Sequence, residues 1–509
     1  MAYYTVAHLL QGGDMYGKAR PSVEPEAMTD EVWDAVFLGK ELDASAAFPR
    51  ELLNEMTTEF NFWYPFDLRV SGKDLIQNHL TFALYNHTAI WEDDETKWPK
   101  SYRTNGHLLL NGEKMSKSTG NFKTLKNAIE EYSSDAMRFA LADAGDTLED
   151  ANFVDDTANA AILRLTKELV WTEEILAEIK KGGVLRTGPA DQQFCDRVFA
   201  NAINTAIAAT RDHFEAMMFR EALKTGYYDL QSARDSYRML CGGDANMHAD
   251  LVARYIEVST LILTPFCPHT CEHVWSSLLG HSDTVIKAGF PVGGEPDVVL
   301  AAQAKYLDDM VSSMRKSIAR AIAPPKKKGP GPPAAPKVCY KADVFVAEKF
   351  GGWQEVCLGI VAEQFNAADK TFPAVSLILD AVKGSSLAQE ADFKNVMKAV
   401  MPFVKFKMDE AMVAGASALS TRLIFDETGL LKENEEYIMR SLGLKEMNVL
   451  SATAVGTPEM EAAMKFGLKV DQTTPGQPSI YFHAEDDPAV AAAAAEPLSE
   501  MMSDVSVSE

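Results

Sequence analysis

The sequence predicts an α/β region, then a mainly α-helical bundle, then a small α+β domain, in that order along 509 residues. Three observations carry this. Short apolar runs alternate with helical segments over residues 1–155, the pattern of a parallel sheet wrapped by helices. A helical period takes over from 156 to 322. A proline- and lysine-rich stretch at 323–337 then separates that bundle from mixed strand and helix signals over 338–483.

The first region reads as a parallel sheet without its first strands. In the second, Ile162, Leu165, Leu169, Leu176 and Ile179 form one apolar stripe. Lys180-Lys181-Gly182-Gly183 closes that helix, with cations in the last turn and glycine beyond it. Further helices are expected over 191–214, 219–240, 247–264, 269–280 and 300–322. Pro324 to Pro333 can be neither helix nor central strand, and the segment is an extended linker. Beyond it, strands at 341–346, 420–426, 446–452 and 479–483 alternate with helices at 353–366, 391–410 and 430–442. The alanine-rich, acidic residues 484–509 are expected to be disordered.

Composition narrows the functional classes. With 47% apolar residues the chain can bury several cores. No apolar run approaches the ~18 residues of a membrane span, and the first residues lack the charged-then-apolar pattern that would suggest secretion. Six cysteines are scattered without a disulfide framework, which fits a reducing compartment such as the cytoplasm. A net charge of −24 opposes indiscriminate nucleic-acid binding. Yet residues 310–342 hold Arg315, Lys316, Arg320, Lys326, Lys327, Lys328, Lys337 and Lys341 with no acid. That stripe is either a local RNA contact or a solvated linker.

The chemistry concentrates at Lys114-Met115-Ser116-Lys117-Ser118, between Asn111-Gly112-Glu113 and Thr119-Gly120-Asn121. Two lysines three apart on a short-residue loop can face one polyphosphate and offset charge on a departing pyrophosphate. In a rigid site that role is worth roughly 3–4 kcal/mol per donor. Ser116 adds a hydroxyl donor, and small flanking residues let the backbone approach phosphate. The alternative is a solvated Lys/Ser loop. Cys267-Pro268-His269-Thr270-Cys271-Glu272-His273 has the donors of a zinc site, but one helical turn cannot close a tetrahedron around them. No metal ligand is assigned there, and Phe266 and Trp275 read as core.

The lysine loop resembles the ATP-binding loop of class I aminoacyl-tRNA synthetases. Ala2-Tyr3-Tyr4-Thr5-Val6-Ala7-His8-Leu9-Leu10-Gln11-Gly12-Gly13, Phe62-Trp63-Tyr64-Pro65 and Asp67-Leu68-Arg69-Val70-Ser71-Gly72-Lys73-Asp74 look like the leucyl-tRNA synthetase family. Asn105-Gly106-His107-Leu108-Leu109-Leu110 and Leu141-Ala142-Asp143-Ala144-Gly145-Asp146-Thr147 point to its archaeal and eukaryotic cytosolic branch. Class I synthetases pair the loop with an upstream His-x-Gly-His. Here Gly-His occurs only at Gly106-His107 and Gly280-His281, neither with a histidine two places earlier. The family's editing insertion has no counterpart either, so the resemblance is to a C-terminal part.

The resemblance implies that residues 1–155 are part of a Rossmann-type catalytic domain, 156–322 an anticodon-binding-type domain and 338–483 a tRNA-binding domain. It implies ATP-dependent activation of leucine and its transfer to tRNA(Leu), with magnesium accompanying ATP. Lys114 and Lys117 would be catalytic, Lys117 the more so. Ser116, Gly72, Asp74, Gly106 and His107 would complete the ATP site, with Asp74 on the ribose hydroxyls. His79 would line the amino-acid pocket. Left to themselves, Gly72-x-Asp74 is a common turn and His79 a satisfied histidine. Lys326, Lys327 and Lys328 would touch tRNA, and the C-terminal domain could hold multi-synthetase or other protein partners. Two further readings are a synthetase-derived RNA- or protein-binding remnant without activity, and a class I ligase for isoleucine, valine or methionine.

Overall fold

The computed structural model describes residues 2–12, 23–323, 337–389, 393–453, 456–465 and 467–486. The linker lysines Lys326, Lys327 and Lys328 and the tail beyond 486 lie outside the described residues. The chain divides into two compact units. The first comprises Met1–Trp171, Asp212–Lys224 and Leu263–Ala288, and the second Thr172–Arg211, Thr225–Ile262 and Gly289–Glu509. Among the described residues no helix is long and apolar enough to cross a membrane.

In the first unit, helices Ala2–Leu10, Asp30–Leu38 and Arg50–Trp63 enclose a core of Val6, Val36, Met56, Phe60 and Tyr64. Trp33 and Phe37 stack at 5.2 Å on its margin. The sheet residues are few. Strand β1 (Arg69–Gly72) pairs in parallel with β2 (Tyr102–Asn105), Gly72 opposite Asn105. Strand β3 (Leu108–Leu110) lies between antiparallel β4 (Glu113–Lys114) and parallel β5 (Ala151–Phe153). The parallel pairings agree with the α/β reading of this region.

The helical signals reappear closely. The stripe of Leu165 and Leu176 lies on a helix Asp155–Lys181, which ends at Gly182 with φ +74°. That conformation suits glycine because it has no Cβ to clash. Helices Phe194–Glu215, Leu230–Cys241, Ala249–Leu263 and Val298–Ile322 follow. Pro268–Glu272 has proline at its first position, where the missing N–H is harmless.

In the second unit, β6 (Lys337–Val346) is the centre of a three-stranded sheet. It runs parallel to β7 (Glu446–Ser451) and antiparallel to β8 (Ser479–Asp486). Ala342, Val344, Leu431, Ile438 and Met314 are buried in one cluster there. A separate helical core holds Cys357, Leu358, Val361, Ile378, Val382, Val400 and Val404. The run 420–426 is not a strand, contrary to its sequence pattern. Its polar side chains satisfy local backbone instead: Ser420 Oγ accepts from the Arg422 amide, and Asp426 caps the next helix by accepting from the Gly429 amide. The helix expected over 430–442 is two helices, Glu427–Glu433 and Glu435–Leu442. They part at Asn434, whose side chain donates to the Leu430 carbonyl.

Candidate functional site

The lysine loop is built from a tight hairpin. Asn111 and Gly112 connect β3 to β4, with φ +52° and +83°. Two central residues of positive φ match the right-handed twist of the flanking strands, and Asn-Gly is the favoured pair for it. This signal was present in the sequence, although the segment read there only as loop. The hairpin is clamped from two sides. Gly112 N donates to Asn152 Oδ1 at 2.7 Å, and Asn111 exchanges hydrogen bonds with the side chain and amide of Asp155.

Lys114 therefore ends a paired strand, opposite Leu109. A reverse turn follows. Ser116 N donates to the Asn121 carbonyl at 2.9 Å, and the Asn121 side chain donates to the Lys114 carbonyl at 3.3 Å. Ser116 and Ser118 hydroxyls lie 2.8 Å apart, and Gly120 closes the turn at φ +74°. Among the described residues neither Lys114 Nζ nor Lys117 Nζ has a carboxylate or hydrogen-bond partner. Nearby lysines contrast with them. Lys123 Nζ meets Glu131 at 2.7 Å and Asp155 at 3.2 Å, and these contacts hold its ammonium above the usual range despite the opposing effect of burial.

The other residues singled out gather around His107. Its Nε2 is 2.7 Å from Asp74 Oδ1, and its Nδ1 is 3.2 Å from Asp150 Oδ1. Asp150 also accepts from the His107 amide at 2.9 Å and pairs with Lys73 Nζ at 2.6 Å. The Lys73 hydrogen bond, then that amide, bring the Asp150 carboxyl down to about 2. Neither Lys73 nor Asp150 was identified as a site residue from sequence, because their contact joins positions 77 apart.

Gly106 has a structural reason to be glycine. A Cβ there would lie 2.1 Å from the Glu149 carbonyl oxygen, far inside contact distance. No such crowding surrounds Gly72, where a Cβ would meet nothing within 4 Å. His79 meets a different partner: its Nε2 is 2.6 Å from Arg69 Nη2 on β1. Gly106 and His107 line a cavity of about 690 Å³ with Val70, Arg103, Leu141 and Phe219. An apolar wall with a few polar groups is the usual make-up of a small-molecule site.

Phe266 and Trp275 are buried, as their sequence setting implies. Cys267 and Cys271 are buried too, which pushes both thiols up, that of Cys271 to about 12. His269 is engaged elsewhere, with Nδ1 3.0 Å from the buried Asp135 carboxylate. Asp135 also accepts from the Thr270 amide at 2.6 Å, so it caps the helix that begins at Pro268.

Residues 50–171 match the family described as class I tRNA synthetases (M). Residues 196–330 match the anticodon-binding domain of tRNA ligases, and 346–424 match the family described as leucine–tRNA ligase, RagD-binding domain. The chain is 44% identical over 485 residues to the cytoplasmic leucine–tRNA ligase of Arabidopsis thaliana, covering 95% of this chain and 44% of that relative. It is 45% identical over 457 residues to the Pongo abelii cytoplasmic leucine–tRNA ligase, covering 89% and 38%. With the leucine–tRNA ligase of Aeropyrum pernix it shares 40% identity over 303 residues, covering 58% and 29%. The chain thus spans less than half the length of each of these relatives.

Proposed function

We propose, from the premise that this chain belongs to the leucyl-tRNA synthetase family, that it supplies the phosphate-facing half of a leucine-activating site. The observation that carries this is the pair of uncommitted ammonium groups, Lys114 and Lys117, on a turn closed by hydrogen bonds to Asn121. In the reaction a leucine carboxylate oxygen attacks the α-phosphorus of ATP. The bond from that phosphorus to the bridging oxygen breaks, and pyrophosphate leaves with the added negative charge. Lys117 and Lys114 neutralise that charge where it develops, and Ser116 donates to a phosphate oxygen. A ribose hydroxyl of tRNA(Leu) then attacks the leucyl carbonyl, and AMP departs.

Gly72, Asp74, Gly106 and His107 lie at the ends of β1 and β2 and form the nucleoside side of this site. His79 belongs to the leucine side. Asp74 and Asp150 are held by His107 and Lys73, so magnesium is assigned to the ATP phosphates and water, where this ion usually resides. Residues 156–322 and 338–483 hold the body of tRNA(Leu). The 346–424 segment is also a surface for a protein partner, and the setting is cytoplasmic.

The test uses this chain within a protein of its relatives' full length. Lys117→Ala should lower kcat about 100-fold with leucine KM little changed, as expected for an interaction made in the transition state. Unchanged kcat in leucine-dependent pyrophosphate exchange would overturn the assignment. For tRNA, replacing Lys326, Lys327 and Lys328 with Gln should weaken binding and flatten its salt dependence, because each neutralised phosphate releases counterion. A salt slope identical to that of the unmodified chain would remove these lysines from the interface.

A further inference from the structure

Two cysteines far apart in sequence meet in the second unit. Cys195 is the second residue of helix Phe194–Glu215, and Cys241 is the last residue of helix Leu230–Cys241. Their sulfurs are 3.7 Å apart, at thiol hydrogen-bond distance. Cys195 is buried and Cys241 only partly so. Around them lies a polar cluster. Arg186 makes a two-pronged pair with the buried Asp196 at 2.6 and 2.9 Å, and its Nη2 is 3.9 Å from Cys241 Sγ. The Tyr237 hydroxyl donates to Asp196 Oδ1 at 2.5 Å.

We propose that Cys195 and Cys241 form a reversible dithiol–disulfide site, oxidised by hydroperoxides and restored by a dithiol reductant. The geometry fits this better than a metal. The donor atoms of Cys195, Asp196 and Cys241 lie within 4.8 Å of one another, but Asp196 is already held by Arg186 and Tyr237. A cation would sit beside the guanidinium with only two free donors, whereas a closed zinc site needs four. Disulfide formation needs less. Shortening 3.7 Å to a bond of roughly 2.0 Å requires an approach of about 1.7 Å. Both cysteines lie at helix ends, and Gly242 and Gly243 follow Cys241 at φ +83° and +129°. Helix ends and glycines adjust more readily than helix interiors.

The two thiols have different parts. The hydrogen bond between the two sulfurs lowers the Cys241 thiol, and the Arg186 guanidinium adds to this against the effect of burial. The same hydrogen bond, then burial, hold Cys195 in the thiol form. Thiolate is the nucleophile, so Cys241 reacts first. Its sulfur attacks a peroxide oxygen, the O–O bond breaks, and hydroxide leaves and takes a solvent proton. The product is a sulfenic acid. Cys195 then attacks the Cys241 sulfur, losing its own proton; the S–O bond breaks and that hydroxide departs as water. Two thiols are oxidised by two electrons, and one hydrogen peroxide becomes two waters.

The experiment exposes the purified full chain to equimolar hydrogen peroxide, blocks remaining thiols, and maps unreduced peptides by mass spectrometry. The expected product is a Cys195–Cys241 linked peptide that dithiothreitol removes. Before oxidation, Cys241 should be alkylated at least roughly tenfold faster than Cys267 at neutral pH, since each pKa unit changes thiolate population tenfold. In Cys195→Ser the link should vanish, and dimedone should trap a sulfenic acid on Cys241. The wild-type mapping needs no variant to fold. Equal alkylation of Cys241 and Cys267, or Cys241 oxidised beyond sulfenic acid while Cys195 stays a thiol, would overturn the proposal.

Discussion

Strands β1 and β2 and strand β6 are solved by opposite means. The first pair are parallel neighbours with no further strand beside them among the described residues, and Val70 on β1 and Phe82 and Tyr85 on the helix Thr81–Ile90 are all more than 60% exposed. Strand β6 has a partner on each edge, and Ala342 to Val346 are all buried. Parallel sheets are normally covered on both faces, and exposed apolar side chains are surface that other protein can cover. The lysine loop, which follows the β3–β4 hairpin, owes its form to turn chemistry and a few clamps. The C-terminal sheet owes its form to a core.

Substitutions should separate the two regions. The largest effect is expected from Leu431→Ala, at a wholly buried position of the core beneath β6. It should cost about 2–5 kcal/mol, through lost burial and the cavity left behind. Faster hydrogen exchange of the β6 amides would register it; unchanged exchange there would deny that this core holds the sheet.

Gly106→Ala should come next. The added methyl collides with backbone, not a movable side chain, and overpacking of that kind costs about 1–3 kcal/mol. The shift should register as altered amide resonances at 147–151, where the chain passes Gly106. An unperturbed spectrum would show that the close approach is not rigid.

Acid titration probes the same corner. The Asp150 carboxyl is depressed to about 2 from an ordinary 3.8, so its contribution is complete above that ordinary value and is lost as pH falls through about 2. Carboxyl carbon chemical shifts should place its midpoint near there and move it up in Lys73→Met. A midpoint near the ordinary value would break the Lys73–Asp150–His107 connection. The smallest effect is expected from Phe82→Ala at an exposed helical position, within about 0.5 kcal/mol by urea unfolding, as for other exposed positions. A loss comparable to that of Leu431→Ala would erase the contrast.

What the sequence determined by itself were features written within a few residues. Lys180-Lys181-Gly182 marked the end of a long helix because cationic side chains and a left-handed glycine suit a helix C-terminus. The lysine loop was legible because its small and turn-forming residues shape it locally. Strands β6, β7 and β8 were legible from their apolar runs. What only the tertiary structure decided were meetings between distant positions. His107 between Asp74 and Asp150, Arg69 beside His79, and Cys195 against Cys241 all depend on where the backbone carries each side chain. So does the failure of 420–426 to become a strand, since among the described residues it pairs with no strand and its polar side chains bond nearby backbone instead. Local turn and capping energies act over a few residues and are encoded there. A contact across tens of residues is fixed only when packing closes the chain upon itself.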